Sequence, residues 1–248
     1  MRINIWNGLW IIAVLGHISC SKTKHLLNSG DETQISNVIS DEKIDGNPYE
    51  NYSITTDTIN FVYDRPINGF NISVVLMNIS DYMGDKIGNA YIYFVKEGLV
   101  YTIYHPTFIL DESSYSIFTD KKIDTIKYEL APPKYYNENE LGQFQEVPFS
   151  FFDVDFDGKK ELLLRHPTIG QRESNGYCAY KVPQTEDGEF EEVAAISNLQ
   201  KKKDFPVLDD FTEFDFENKN LIIKYYKGNN EWEVERYFYE KENLIRKE

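Results

Sequence analysis

Histidine and cysteine are scarce in this sequence: its 248 residues include four histidines and two cysteines. A structural zinc site needs clustered histidine and cysteine ligands, whereas His25, His105 and His166 are isolated along the chain. The G-x-S-x-G, H-E-x-x-H and Walker-type motifs are also absent from the sequence. These absences argue against a zinc site and against the common hydrolase and nucleotide-binding classes, so we expect a protein without enzymatic activity.

Basic residues are also fewer than acidic ones. The chain carries 26 lysine and arginine residues against 41 aspartate and glutamate residues, which gives a formal net charge of −15. Nucleic-acid binding needs a basic face, so we expect no nucleic-acid partner. An acidic protein is instead steered toward basic partners.

Long apolar runs are absent apart from residues 3–16, which follow the positively charged start Met1-Arg2. This run is too short to span a bilayer and is typical of a signal peptide. The following Ser19-Cys20-Ser21 resembles the cleavage site of bacterial lipoproteins, in which the cysteine is lipidated. We therefore predict a signal peptide over residues 1–19, lipidation at Cys20, and an outer-membrane lipoprotein that faces the periplasm. The alternative is cleavage after Gly16, which releases a soluble periplasmic or secreted protein.

The rest of the chain divides into a polar segment and one domain. Residues 20–50 are rich in Ser, Asn, Asp, Glu and Lys and cannot bury enough apolar surface to fold alone. We interpret them as the lipidated cysteine and a disordered tether. Residues 51–248 are rich in aromatic and β-branched residues, as strands prefer, and we predict a single β-rich domain there.

Short strands at regular spacing make up this domain. The clearest predicted hairpins pair residues 90–95 with 99–104 and residues 177–182 with 190–194, and a closing meander covers residues 211–246. A strand is also predicted at residues 114–118, and one or two helical turns at residues 192–202. We therefore predict an all-β fold: an antiparallel meander of hairpins in a small propeller-like, barrel or sandwich domain.

Residues 153–161 carry the most informative motif, a D-x-D-x-D-G-x-x-E run. Carboxylates at alternate positions followed by a glycine suit a loop wrapped around Ca²⁺, which takes six to eight oxygen ligands. The predicted ligands are the side chains of Asp153, Asp155, Asp157 and Glu161 and the main-chain carbonyl of Lys159. An EF-hand would need helices on both sides and a glutamate at position 12, but the flanks read as strands. The alternative is an acidic β-turn without an ion.

A calcium loop between strands resembles the loops of FG-GAP and VCBS-type repeats. Together with the lipoprotein-like leader and the polar tether, residues 140–248 resemble bacterial envelope lipoproteins that have a propeller-like β-fold and one calcium loop. Some of those proteins are immunity proteins against peptidoglycan-hydrolase toxins. The resemblance implies a calcium-stabilised binding or immunity protein whose partner is a basic peptidoglycan hydrolase or toxin. The alternative is a structural or surface-assembly lipoprotein of the envelope.

One segment is a candidate for the partner contact. Periplasmic lysozyme inhibitors insert a short Ser/Gly/Tyr loop into the enzyme cleft, and residues Ser174, Asn175, Gly176 and Tyr177 have a similar composition. We therefore predict partner binding by these four residues. The alternative is a polar turn that leads into a strand, because Ser, Asn and Gly are common in turns.

Overall fold

Strands make up most of the structure, as the abundance of aromatic and β-branched residues predicts. The computed structural model describes residues 58–82, 85–111, 124–130, 136–166, 174–185, 187–203, 205–229 and 231–247. The strands are β1 (Ile59–Tyr63), β2 (Asn71–Tyr82), β3 (Asp85–Lys96), β4 (Leu99–Leu110), β5 (Asp124–Ile126), β6 (Phe149–Phe152), β7 (Glu161–His166), β8 (Gly176–Lys181), β9 (Glu191–Glu192), β10 (Glu213–Asp215), β11 (Asn220–Gly228), β12 (Glu231–Glu240) and β13 (Asn243–Lys247). Between them lie a 3₁₀ turn (Leu141–Phe144) and an α-helix, α1 (Ala194–Gln200). The predicted all-β class is confirmed.

The first sheet has the strand order β4-β3-β2-β1-β5. At one edge of the sheet a hairpin joins β3 to β4 through Glu97 and Gly98, whose φ angles of 53° and 83° suit a tight turn between twisted strands. At the far edge, β1 and β5 pair in parallel, with Phe61 opposite Asp124. This pair departs from the purely antiparallel prediction, and it is possible because a long connection separates β5 from the hairpins.

The other two sheets have simpler topology. Their strand orders, β6-β7-β8-β9 and β10-β11-β12-β13, follow the order of the chain, and all their neighbouring strands are antiparallel. Leu164 of β7, for example, lies opposite Phe149 of β6 and Cys178 of β8. A sequential four-stranded meander is the topology of a propeller blade.

Aromatic side chains join the sheets into one core. Phe94 of the first sheet is fully buried, and its ring packs against Phe149, Phe151 and Phe190 at centroid distances of 6.0, 6.4 and 4.8 Å. A continuous cluster of buried residues includes members of all three sheets, such as Leu221 of the third. The sheets therefore pack over a common core in a sandwich-like arrangement, which fixes the ends of β6 and β7.

Several predictions concern residues outside the described ranges. They are the signal peptide at 1–19, lipidation at Cys20, the tether at 20–50, the start of the domain at 51–57 and the strand at 114–118. Among the residues that the structure describes, we find no helix with the length and hydrophobicity that crossing a membrane would require.

Candidate metal centre

The D-x-D-x-D-G-x-x-E run forms the connection between β6, which ends at Phe152, and β7, which begins at Glu161. The chain reverses direction over a short distance because two residues adopt positive φ angles, 59° at Phe156 and 85° at Gly158. Glycine adopts such angles without steric cost. For a bulky phenylalanine they are rare, so tertiary contacts must hold Phe156 in place.

Backbone N–H groups point toward the carboxylates of the loop. Val154 N donates to Glu161 Oε2 at 2.8 Å, and Gly158 N donates to Asp153 Oδ2 at 3.1 Å. A third bond runs from Asp157 N to Asp155 Oδ1 at 3.3 Å. These bonds orient the side chains of Asp153, Asp155 and Glu161 toward the inside of the loop.

Three of the predicted ligands come together. One carboxylate oxygen each from Asp153, Asp155 and Glu161 lies within 4.8 Å of the other two. Two oxygens bound to the same Ca²⁺, each at about 2.4 Å, are at most about 4.8 Å apart, so the spacing fits a shared cation. The Asp153 Oδ1 atom is buried and has no hydrogen-bond partner among the described residues. Burying a carboxylate oxygen without a hydrogen-bond partner lowers the stability of the fold, and a bound cation would supply the missing partner.

The electrostatics of the loop also favour a cation. Burial is the main cause that raises the pKa of Glu161 to about 8, and the charges of Asp155, Asp153 and Asp157 add to it. Burial and the charge of Asp157 likewise raise the pKa of Asp155. Lys181 Nζ, at 3.9 Å from Asp155 Oδ2, is a partial counter-charge. A divalent ion would favour the ionised carboxylates far more strongly.

The other two predicted ligands are not among these three clustered groups. Asp157 is exposed, and its Oδ1 atom accepts a hydrogen bond from Lys159 N at 2.7 Å, so its carboxylate is not part of the cluster. Lys159 is also exposed, and its carbonyl stays a predicted ligand. The structure thus brings together Asp153, Asp155 and Glu161 and leaves the outer part of the loop open to solvent.

Tyr239 of β12 is a neighbour of the site that sequence reasoning missed. Its hydroxyl oxygen is buried and has no hydrogen-bond partner among the described residues. Burial, together with the charges of Asp155, Glu161 and Asp153, raises the pKa of Tyr239. No local signal marks this residue, because it lies far along the chain from the loop and reaches it only through the packing of two sheets.

Phe156 explains how the loop is attached to the third sheet. Its side chain is buried, and its ring lies 5.9, 5.3 and 5.5 Å from the rings of Phe214, Phe216 and Tyr239. Lys219 Nζ donates a hydrogen bond to the carbonyl oxygen of Phe156 at 3.1 Å. These contacts hold the unusual backbone angle of Phe156 and link the loop to strands β10–β12.

The predicted partner-binding segment lies in a buried position. Ser174 and Tyr177 are only 6% and 5% exposed. The Tyr177 hydroxyl donates to Asp210 Oδ1 at 2.6 Å and lies 3.2 Å from the carbonyl oxygen of Leu141. Side chains buried in this way cannot enter the cleft of another protein, so the prediction that Ser174 and Tyr177 bind a partner is wrong for this structure.

The other two residues of that segment also make contacts within the protein. Asn175 donates from its backbone N and its Nδ2 to Asp210 Oδ2, at 2.8 and 2.9 Å, and its Oδ1 accepts from Arg165 Nε at 2.9 Å. Gly176 is buried opposite His166 in the β7–β8 pair. The alternative reading therefore applies: the segment is a polar turn into a strand, and it satisfies the buried carboxylate of Asp210.

Comparison with known proteins identifies a similar fold. No protein-family model matches this chain, and no curated protein matches it. The solved structure of a Xanthomonas Type IV Secretion System related protein is similar to it, with a TM-score of 0.50 and 12% sequence identity over 79% of this chain and 83% of that one. At this identity the likeness concerns the fold alone.

Proposed function

We propose that this protein is a calcium-stabilised binding protein of the bacterial cell envelope. The observation that carries the proposal is the carboxylate cluster of Asp153, Asp155 and Glu161, with ligand oxygens within 4.8 Å of one another and a buried, unpartnered oxygen on Asp153. Oxygen ligands in a flexible loop are the donor set that Ca²⁺ prefers. In this proposal the predicted main-chain carbonyl of Lys159 is a further oxygen ligand, whereas the Asp157 carboxylate stays bonded to the loop backbone.

The role of the ion is structural. The loop connects β6 to β7, and its central residue Phe156 packs on the third sheet. A bound cation would neutralise three crowded carboxylates and hold this connection in one conformation, so the free energy of binding adds to the free energy of folding. Among the residues that the structure describes, His105 and His166 are both buried in the core, so neither histidine would meet a substrate beside the ion. We infer a binding role without enzymatic activity.

The envelope location rests on two kinds of support. The sequence has a signal-peptide pattern at residues 1–19 and a lipoprotein-like Cys20, followed by the tether at 20–50. A protein of similar fold is described as related to a Xanthomonas type IV secretion system, which fits an envelope or secretion context. We propose an outer-membrane lipoprotein that faces the periplasm.

The proposed partner is a basic peptidoglycan hydrolase, such as a lysozyme-like toxin that this protein would inhibit. The net charge of −15 favours association with a basic enzyme. Because the segment at Ser174–Tyr177 is buried, the contact would use another surface. The second candidate function is structural: an envelope-assembly lipoprotein with the same calcium loop and no toxin partner.

Calcium binding is tested by thermal unfolding of the full chain in Ca²⁺ and in EDTA. A Ca²⁺ concentration of 100 times Kd adds about 2.7 kcal/mol, which raises Tm by about 5–10 °C in a domain of this size. Asp155→Asn should lose most of this rise because it removes one ligand charge. Asp187→Asn is the matched control, since Asp187 is exposed in the turn between β8 and β9. An unchanged calcium response in Asp155→Asn would show that the ligand assignment is wrong.

The same proteins then test the binding role. Purified lysozyme-like hydrolases release fragments from peptidoglycan sacculi, and the rate is measured with the wild-type chain in Ca²⁺ and in EDTA. Inhibition in Ca²⁺ that is lost in EDTA supports an immunity function. If calcium raises Tm but no hydrolase is inhibited, the structural function is the better account.

A further inference from the structure

An open cavity of about 850 Å³ lies on the third sheet, and no residue of the carboxylate loop lines it. On β12, Val234 and Arg236 are exposed, whereas the intervening Glu235 and the following Tyr237 are buried. Residues two apart on a strand share a face, so Val234 and Arg236 define the outer face of this sheet. Both line the cavity, together with Asn218, Asn220, Arg246 and Lys247. Its volume is within the range of small-molecule sites.

Two positive charges face each other in this cavity. Arg236 of β12 and Lys247 of β13 are directly opposite in the antiparallel pairing, and both are exposed. Opposite residues on one face have Cβ atoms about 5 Å apart, and like charges there are destabilising. Neither side chain forms an ion pair with a carboxylate of the described residues. The two like charges repel each other, and an anion bound between them would remove this repulsion.

The acidic groups of the cavity have other partners. Glu235 Oε1 lies 3.0 Å from Arg246 Nη1. The carboxylate of Asp215 accepts hydrogen bonds from Asn218 N at 3.0 Å and from the side-chain amides of Asn218 and Asn220. These bonds hold the pKa of Asp215 below its ordinary value, and Lys247 adds a smaller effect.

The charge balance of the cavity contrasts with that of the protein. Its lining holds three basic and two acidic side chains, whereas the chain as a whole carries a net charge of −15. A surface that is acidic elsewhere but locally basic concentrates small anions at that point. An arginine guanidinium also matches the geometry of carboxylate and phosphate oxygens.

We propose that this cavity binds an oxyanion, a carboxylate or phosphate group, of a small ligand that also carries an apolar portion. The guanidinium of Arg236 and the ammonium of Lys247 bind the anion, and the exposed side chain of Val234 contacts the apolar portion. This proposal does not depend on the calcium loop, because none of the loop carboxylates lines the cavity.

The test uses probes that separate the two sources of an oxyanion. Benzoate supplies a carboxylate on an apolar ring, phenyl phosphate supplies a phosphate, and benzamide is the neutral control. Calorimetric titration of the full chain at low ionic strength should show binding of benzoate or of phenyl phosphate and not of benzamide. Binding of benzoate alone identifies a carboxylate ligand, and binding of phenyl phosphate alone identifies a phosphate ligand.

Variants locate the binding. In Arg236→Gln/Lys247→Gln, affinity for the anionic probe should fall about tenfold or more, because charge-assisted hydrogen bonds are lost. Lys127→Gln/Lys201→Gln removes the same charge at two exposed positions and should bind as the wild type does. The proposal is overturned if the two double variants bind the anionic probe with equal affinity. It is also overturned if benzamide binds as tightly as the anions, or if neither anion binds. If the first double variant does not fold, the single variant Lys247→Gln gives the same comparison.

Discussion

Two buried histidines make the stability of this protein sensitive to acid. His105 of β4 and His166 of β7 have stacked rings with centroids 6.0 Å apart. Thr107 N donates to His105 Nδ1 at 3.1 Å, so this nitrogen is unprotonated. His105 Nε2 therefore carries the ring proton and donates it to the carbonyl oxygen of Arg165 at 2.7 Å. A second proton on His105 would point at another N–H group and would find no acceptor.

The sign of the effect follows from the direction of the pKa shifts. Burial, and then the neighbouring His166, lowers the pKa of His105 from 6.5 to about 3, and burial lowers the pKa of His166 to about 4. Below pH 6.5 the unfolded chain binds protons that the folded protein excludes. The stability of the neutral pair is therefore fully present above pH 6.5 and is lost as the pH falls toward the folded pKa values.

The magnitude is large for a protein of this size. Each excluded proton costs about 1.4 kcal/mol per pH unit below the unfolded pKa. At pH 4.5, two units below 6.5, the two histidines together remove about 5 kcal/mol of the free energy of unfolding. A whole domain has a stability of only about 5–15 kcal/mol. Acid alone should therefore bring this protein close to unfolding.

The assay is urea unfolding of the full chain at pH 6.5 and pH 4.5, in EDTA so that metal binding does not contribute. Carboxylates also titrate in this interval, so the informative quantity is the difference between wild type and His105→Gln/His166→Gln. The wild type should lose about 4 kcal/mol more than this variant, because the unfolded histidines are already half protonated at pH 6.5. His25→Gln, which alters a histidine of the predicted tether, should behave as the wild type does. Equal losses in the wild type and the double variant would refute the reasoning.

Two further predictions concern buried contacts. Tyr177→Phe should lower the free energy of unfolding by about 1–3 kcal/mol, because buried Asp210 loses the 2.6 Å hydrogen bond to its Oδ1 atom. The comparison is Tyr104→Phe, which changes a half-buried tyrosine of the first sheet. A smaller loss of unfolding free energy in Tyr177→Phe than in Tyr104→Phe would contradict the buried network. Gly88→Ala should cost about 1–3 kcal/mol in urea unfolding, because its new Cβ would lie 2.4 Å from the backbone oxygen of Met77. Gly98→Ala meets no atom within 4 Å but has a φ of 83°, so it separates steric overlap from backbone strain.

Local patterns in the sequence were enough to predict the fold class and the position of the carboxylate loop. The D-x-D-x-D-G-x-x-E run is local information: ligand spacing, the glycine turn and the strand-like flanks all lie within about a dozen residues of each other. The same holds for the β3–β4 hairpin, whose Glu97-Gly98 turn lies between two apolar runs. Short-range chemistry therefore predicts which residues form these features.

The tertiary structure decided which side chains are exposed to a partner or directed toward a cation. Ser174 and Tyr177 have the composition of an exposed loop, yet both are buried, and the Tyr177 hydroxyl donates to Asp210. Asp157 alternates perfectly with Asp153 in sequence, yet its side chain turns back to the loop backbone. Burial depends on contacts between distant strands, and the alternation of a short motif carries no information about those contacts.

The features that no local pattern marks are those formed by several strands at once. Tyr239 approaches the carboxylate loop because β12 packs behind Phe156. Arg236 and Lys247 become a like-charge pair only through the register of β12 and β13. The sequence alone determined the β class and the candidate ligands of a cation. The tertiary structure decided which of those ligands meet, and where the uncompensated charges lie, because both depend on strand register and sheet packing.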